Sequence, residues 1–426
     1  MPNPRHFSLE TAIRPNILAL KPYRCARDDY SQGILLDANE NALGHALPPA
    51  QLQDPQDAET STTTFDSLSL HRYPSPTHLD VKQLVCNLRK VPSPNNVFLG
   101  VGSDEVIDLL FRIACAPRSD KVLVCPPTYG MYGVCAQIND VDVVKVPLDV
   151  EQGKFLPNVD EINRTISEAS KTSNPIKLVF LCSPGNPTGT LIPLASVRKV
   201  LENPDLTGLV VVDEAYIDFA DEPDQESAVK LLVDEGWDNL VVMQTLSKGF
   251  GLAAIRLGIA ISSPPLIQIL NNIKAPYNVS TPTASLALRA LSNQGLEKFY
   301  SNIRELKLNR TWLTDQLERD EMKQLGVLGI LGKPHANFIL CQIGSSSSSS
   351  GGGGGGGATT FKPDNELAQR IYVHMAETDK VVVRFRGNEL GCEACLRITI
   401  GTRQECESVV RRLTEALERE RDSSTR

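Results

Sequence analysis

The chain runs to 426 residues, more than one hydrophobic core comfortably holds, so at least two packed units are expected. With 41% hydrophobic and 22% charged residues it has the composition of a globular protein, and a formal charge of -8 leaves no basic face for a nucleic acid or an anionic membrane. No apolar run approaches the roughly 20 residues of a membrane-spanning helix, and the N-terminus "MPNPRHFSLETAIRPNILAL" has no apolar signal core, so the expected location is cytoplasmic.

Residues 1–70 read as an N-terminal arm carrying an irregular loop at 48–69, "PPAQLQDPQDAETSTTTFDSLS". From 71 to 300, β-branched runs alternate with amphipathic stretches. Strands are predicted at 95–100, 121–125, 176–182, 208–213, 239–244 and 256–262, apolar on both faces as strands covered on two sides must be. Val106, Ile107, Leu109, Leu110 and Ile113 recur at helical spacing over 104–115. A long helix is expected from about Asn302 to Arg319. The segment 301–426 then changes character, with strand "ANFILC", a helix, strand "KVVVR", strand "CLRITI" and a helix opened by the capping box Thr402-x-x-Glu405. Its run 344–358, "GSSSSSSGGGGGGGA", can bury nothing and is expected as a disordered surface excursion within one unit. The fold class is therefore α/β: a mostly parallel central sheet flanked by helices, plus a smaller α+β C-terminal domain expected to pack against the arm.

Ten cysteines are scattered over strands and helices as reduced, buried thiols would be. Cys392-x-x-Cys395 has no second pair or histidine beside it, so no metal is expected.

Polar residues gather just past the strand ends, where open parallel sheets bind ligands. "SPGNPTG" supplies Asn186, "VVVDEAYID" supplies Asp213, and "TLSKGFG" supplies Lys248. "LGVGSDE" runs a strand through two glycines into a helix N-terminus at Ser103 and Asp104, whose free amides suit a phosphate, and "CPPTYGMY" adds Tyr129. Singly, each has a plain structural explanation: Asp213 as a helix cap, Lys248 as a solvated lysine, Tyr129 as core. Together they point elsewhere.

"SPGNPTG", "VVVDEAYIDF", "TLSKGFGLAAIRLG" and "CLRITIGTR", in this order, resemble the fold-type I pyridoxal-phosphate aminotransferases. "RYPSP", "GSDE", "CPPTYGMY" and the "APY" and "STP" of 275–282 narrow the resemblance to the histidinol-phosphate aminotransferase family, from about Arg14 to Leu417. The resemblance implies pyridoxal 5'-phosphate as cofactor. Lys248 would form the Schiff base and shuttle the proton, Asp213 would pair with the ring nitrogen, and Asn186 and Tyr216 would bond the ring's phenolic oxygen. Tyr129 would stack on the ring. Ser247, Arg256 and the amides of Ser103, Asp104 and Glu105 would hold the phosphate, and Thr245 would also bind the cofactor. Tyr73 would reach the neighbouring subunit's phosphate, which implies a homodimer with shared active sites. On the substrate side the resemblance implies Arg397 as the carboxylate or phosphate clamp, assisted by Arg384, Tyr23 and Asn39, with Arg386 an extra cation of no assigned role. The implied reaction is ping-pong transfer of the amino group of histidinol phosphate to 2-oxoglutarate, forming glutamate.

The family's usual Asn-Asn pair stands here as Gly185-Asn186, which keeps the cofactor-bonding asparagine. An aromatic amino-acid aminotransferase or an amino-acid-phosphate decarboxylase would share Lys248 and Asp213. A non-catalytic ligand sensor would need a partner-binding extension that the chain lacks, and a nucleotide binder would need a complete phosphate-loop motif.

Overall fold

The computed structural model describes residues 7–21, 68–347 and 360–424; Tyr23, Asn39 and most of the loop at 48–69 lie outside them. Its strands are β1 (Val97–Val101), β2 (Lys121–Val124), β3 (Asp142–Lys145), β4 (Leu148–Asp149), β5 (Leu156–Pro157), β6 (Ile176–Cys182), β7 (Leu209–Asp213), β8 (Leu240–Thr245), β9 (Leu257–Ile261), β10 (Val327–Leu331), β11 (Phe338–Ser347), β12 (Thr360–Pro363), β13 (Arg384–Phe385) and β14 (Cys395–Thr399).

A seven-stranded sheet runs in the order β1-β9-β8-β7-β6-β2-β3. From β8 to β3 every pairing is parallel, while β9 is antiparallel to both β8 and β1. Alternate residues feed two buried layers: Leu99, Val179, Val210, Val212 and Val242 on one face, and Phe98, Phe180, Val211, Val241 and Met243 on the other. Helices cover both faces, which is why these strands read as continuous apolar runs.

A second, antiparallel sheet runs β10-β11-β14-β13, with β12 on the far end of β11. Ile339, Cys341, Leu396 and Ile398 bury one face of it against helices Asn365–Glu377 and Arg403–Ser424. The capping box forms as read: Glu405 Oε2 accepts from the Thr402 amide at 2.7 Å, and the Glu405 amide donates to Thr402 Oγ1 at 3.3 Å.

The structure departs from the sequence reading in four places. The long helix starts at Asn293, capped by Ser292, so an expected boundary at 300 falls inside it. This helix serves two cores, with Phe299 and Ile303 beside Tyr216 and with Leu313 and Leu317 under the second sheet. Of "KVVVR", only Arg384 joins the ladder. The Val381 amide is spent on Met375 O at 2.9 Å and Val382 is 75% exposed, so the preceding backbone has no strand to pair with.

The third departure is the arm. Its described residues pack on the large sheet's layer, not on the C-terminal unit: Ala12, Ile13 and Ile17 are buried there, and the Arg14 amide donates to Ile113 O at 2.8 Å. Burial of these three apolar side chains holds residues 7–21 there, and residues 22–67 of the arm lie outside the described residues. The fourth is the Ser/Gly run, expected as disordered from 344. Gly344–Ser347 instead extend β11 and pair with Thr360–Pro363, because ladder hydrogen bonds require only backbone. Residues 348–359 lie outside the described residues.

Among the described residues the nine cysteines are free thiols, Cys392 and Cys395 among them, no cluster could hold a metal, and no helix is long and apolar enough to cross a membrane.

Because Ser347 stands opposite Thr360, a two-residue Asn-Gly turn replacing 348–359 closes a hairpin in register. That variant is expected to keep its melting temperature and turnover. Deleting 345–357 removes three of the four register pairs, those of Ser345, Ser346 and Ser347, and is expected to melt several degrees lower by calorimetry.

Candidate active site

Antiparallel β9 brings its beginning, rather than its end, to the edge where the parallel strands finish. Thr245 pairs with Gly258 and Val101 with Leu257, so Arg256 lies between the end of β8 and the helix Gly102–Ala114 that follows β1. Gly102 has φ +73° and donates its amide to Arg256 O at 3.0 Å. A Cβ at Gly102 would overlap the Arg256 guanidinium. Glycine here gives that side chain its seat. The helix has no side-chain cap, and the first-turn amides of Ser103 and Asp104 have no carbonyl of their own helix to donate to. The Glu105 carboxylate turns back instead, accepting from the Val101 amide at 2.5 Å and from Asn278 Nδ2 at 2.9 Å. Thr245 Oγ1 donates to Ser247 Oγ or Leu257 O, each at 3.0 Å, and accepts from the Ser247 amide at 3.1 Å.

Asp213 closes β7 and is 3% exposed. Its Oδ2 accepts from Tyr132 Oη at 2.7 Å and its Oδ1 from the Ala215 amide at 3.2 Å. Burial nevertheless holds this carboxyl above the ordinary aspartate range, against the pull of those two bonds. Tyr132, on the helix Met131–Ile138, escaped the sequence reading, which took only Tyr129 from the same motif. Its recurrence three residues after Tyr129 was the available signal. Tyr129 Oη donates to Asp104 Oδ1 at 3.1 Å, and its ring packs edge-on against Tyr132 with centroids 5.6 Å apart.

Lys248 follows β8 and lines the open cleft, so it stays solvent-accessible while protein crowds its amine. Desolvation first, then Arg397 and Arg256, push that amine below the ordinary lysine range, and Asp104 and Asp213 oppose them. Its Nζ lies 5.7 Å from the centre of the buried Tyr216 ring, which meets Phe338 of β11 edge-on at 5.2 Å. The second sheet thus forms the opposite wall. From it Arg397 donates Nη1 to Asn186 Oδ1 at 2.5 Å, across 211 residues of chain, and its guanidinium sits 5.3 Å from the Phe338 ring centre. Arg397 Nε is buried without a partner. Arg384 stands opposite Arg397 in the ladder but is exposed, while half-buried Arg386 is paired with Glu389 at 2.6 Å. Arg386 is the larger of the two repulsions that, after burial, lower the Arg397 pKa.

Of the residues singled out in the sequence, Ser103, Asp104, Glu105, Tyr129, Asn186, Asp213, Tyr216, Thr245, Ser247, Lys248, Arg256 and Arg397 all converge on this cleft. Tyr73 does not join them; it is 53% exposed and stacks on Tyr277 with ring centres 4.7 Å apart.

A mostly parallel sheet whose strand ends present an amine, a buried acid and an anion cup defines a class. The chain belongs to the class I and II aminotransferase family, whose model matches residues 31–413. Within that class its similarity runs to histidinol-phosphate aminotransferases. It is 46% identical to that of Schizosaccharomyces pombe over 94% of this chain and 95% of the relative, and 41% identical to that of Saccharomyces cerevisiae over 96% and 98%. Among solved structures it resembles the histidinol-phosphate aminotransferase of Sinorhizobium meliloti in complex with pyridoxal-5'-phosphate, with a TM-score of 0.65 at 20% identity, covering 89% of this chain and 90% of that one.

Glu214, next to Asp213, points to the opposite face of the sheet. Its carboxyl accepts from Ser227 Oγ at 2.6 Å, the Ala228 amide at 2.5 Å and Gln244 Nε2 at 2.9 Å, and burial still pushes it up to about 7. A carboxyl raised on folding stabilises the fold while protonated, so its contribution is lost as pH rises from the unfolded value near 4.5 through about 7. Glu214→Gln cannot ionise. Its melting temperature relative to the parent is therefore expected to improve from pH 5 to about pH 7 and to level off toward pH 8, and a constant difference would show that Glu214 is ionised throughout.

Proposed function

We propose that the chain exchanges the amino group of L-histidinol phosphate with 2-oxoglutarate, giving imidazole acetol phosphate and L-glutamate, as a step of histidine biosynthesis that uses pyridoxal 5'-phosphate. The observation that carries this reading is Lys248, which follows β8 with its Nζ 5.7 Å from the Tyr216 ring centre, and whose amine burial and the charges of Arg397 and Arg256 push toward its neutral, nucleophilic form.

The residues fit the cofactor. The Arg256 guanidinium, seated against Gly102, forms a cup with the amides of Ser103 and Asp104 and with Ser247, suited to a phosphate. A carboxylate raised by burial lacks a positive partner, and Asp213 would find one in a protonated ring nitrogen, with Tyr132 fixing its direction. Asn186 and Tyr216 would bond the phenolic oxygen and Tyr129 would face the ring. When bound, the cofactor supplies an aldehyde carbon that accepts the amino group and a ring that spreads the resulting charge.

The chain's own residues do the rest. Lys248 Nζ takes the proton from the substrate's α-carbon and returns it on the other side of the exchange. Arg397, with an uncommitted Nε and a neighbouring Arg386, grips the carboxylate of glutamate or the phosphate of histidinol phosphate. Arg384 adds a longer-range positive charge, and Tyr23 and Asn39, which lie outside the described residues, would complete the substrate side. Exposed Tyr73 would serve the partner's phosphate in a homodimer, in the cytoplasm.

Lys248→Ala is expected to lose turnover, the visible absorbance of the parent protein, and the covalent cofactor label that borohydride reduction leaves on the parent; a retained, borohydride-fixed label would assign the amine elsewhere. Asp213→Asn is expected to bind cofactor but lose roughly a hundredfold or more in kcat. With 2-oxoglutarate as acceptor, histidinol phosphate should give a higher kcat/KM than phenylalanine, and the reverse order would overturn the substrate assignment.

A further inference from the structure

Gly249, directly after Lys248, does not have a left-handed backbone, so its torsions do not demand glycine. Asp218 demands it. A Cβ at 249 would overlap the Asp218 carboxylate and lie 2.9 Å from its Cβ and Cγ. Asp218 sits on the turn Ile217–Phe219, two residues beyond Tyr216, and its carboxylate accepts from Arg89 Nη2 at 2.6 Å, with the two side chains 3% and 11% exposed. Arg89 ends the helix Leu79–Arg89, which supplies no side chain to the cleft described above. A buried ion pair carries a desolvation cost that an apolar pair of the same volume avoids, so its presence calls for a local reason.

That reason lies in the Lys248 turn. The turn makes few bonds of its own: the Gly251 amide donates to Lys248 O and the Leu252 amide to Leu246 O, both at 3.0 Å. On one side Phe250 stacks on Phe299 at 4.1 Å. On the other, the Asp218 carboxylate fills the space a side chain at 249 would occupy.

We propose that the Arg89–Asp218 pair is a positioning device for Lys248, acting through Gly249 to set the direction in which the amine leaves its turn. This rests on Lys248 being the reacting amine. Both side chains also line a cavity of about 490 Å³ with Leu88, Phe299, Ile303 and Lys307. Trimming Asp218 leaves the Arg89 charge without its partner, a cost that is limited because the guanidinium lines this existing space and water can enter it, so the variants are expected to fold with lowered stability.

The test is a double-mutant cycle with Gly249→Ala, Asp218→Gly, which removes the Cβ as well as the carboxylate, and the two combined, with Asp218→Ala as a second variant that leaves only the 2.9 Å Cβ contact. Arg198→Met, which breaks the Arg198–Glu235 pair, serves as a control for simple destabilisation. Steady-state kinetics of the cofactor-loaded enzyme are measured beside the pH dependence of Lys248 acetylation by acetic anhydride in the cofactor-free protein, followed by mass spectrometry. Gly249→Ala is expected to lower kcat roughly ten- to a hundredfold with little change in KM. It should also raise the Lys248 midpoint by about one unit, as the displaced amine retreats from Arg397 and Arg256. The combined variant should lose less than the sum of the single ones, because the new methyl occupies the vacated space. Additive losses, or a Lys248 midpoint unmoved in every variant as in Arg198→Met, would reduce the pair to a structural element. Turnover retained in Lys248→Ala would instead defeat the functional reading beneath it.

Discussion

The site depends on one reversal of strand direction. A purely parallel sheet would bring only strand ends to the ligand edge. Inserting β9 antiparallel between β8 and β1 brings a strand beginning there too, and with it Arg256. The register fixes this arginine against Gly102, where only a residue without Cβ leaves it room. The cup is therefore a product of ladder hydrogen bonds, and its precision is that of the sheet and not of a loop.

Charge in the cleft is arranged to be incomplete. Arg256 leans on Asp104 at 3.4 Å, a long contact between two groups that are each nearly half exposed and easily parted. Arg397 spends one nitrogen on Asn186 and keeps a buried Nε unused. Asp213 is short of positive charge and Lys248 is short of negative charge, since burial acts on both against their charged forms. In the reading proposed above, a phosphorylated aromatic aldehyde would answer the imbalances at Arg256, Asp213 and Lys248, and an anionic substrate would answer that at Arg397.

Strand runs were legible because burial on both faces forces continuous β-branched sequence, and the strand-end residues were legible because topology assigns them a place before any contact is known. What stayed hidden depends on three-dimensional partners. Tyr132 differs from Tyr129 only in which hydroxyl meets Asp213. The arm's docking face, Ala12, Ile13 and Ile17, carries no mark of which surface it covers. "KVVVR" reads as strand on propensity, yet the preceding helix takes the Val381 amide first. Four residues of a low-complexity run join a sheet because their neighbour across the ladder, Thr360–Pro363, lies beyond the run itself.

Asp213 and Glu214 show how far environment, rather than residue type, sets chemistry here. They are adjacent acids, both buried, and burial raises both. Strand alternation sends one toward the cleft and the other into a closed shell of Ser227, Ala228 and Gln244. Glu214 already has three donors and feels the charge of Arg89, so a further cation could add little. Asp213 has two donors and an open side facing Lys248. A cationic ligand would therefore be drawn to the first acid and not the second, although one peptide bond separates them.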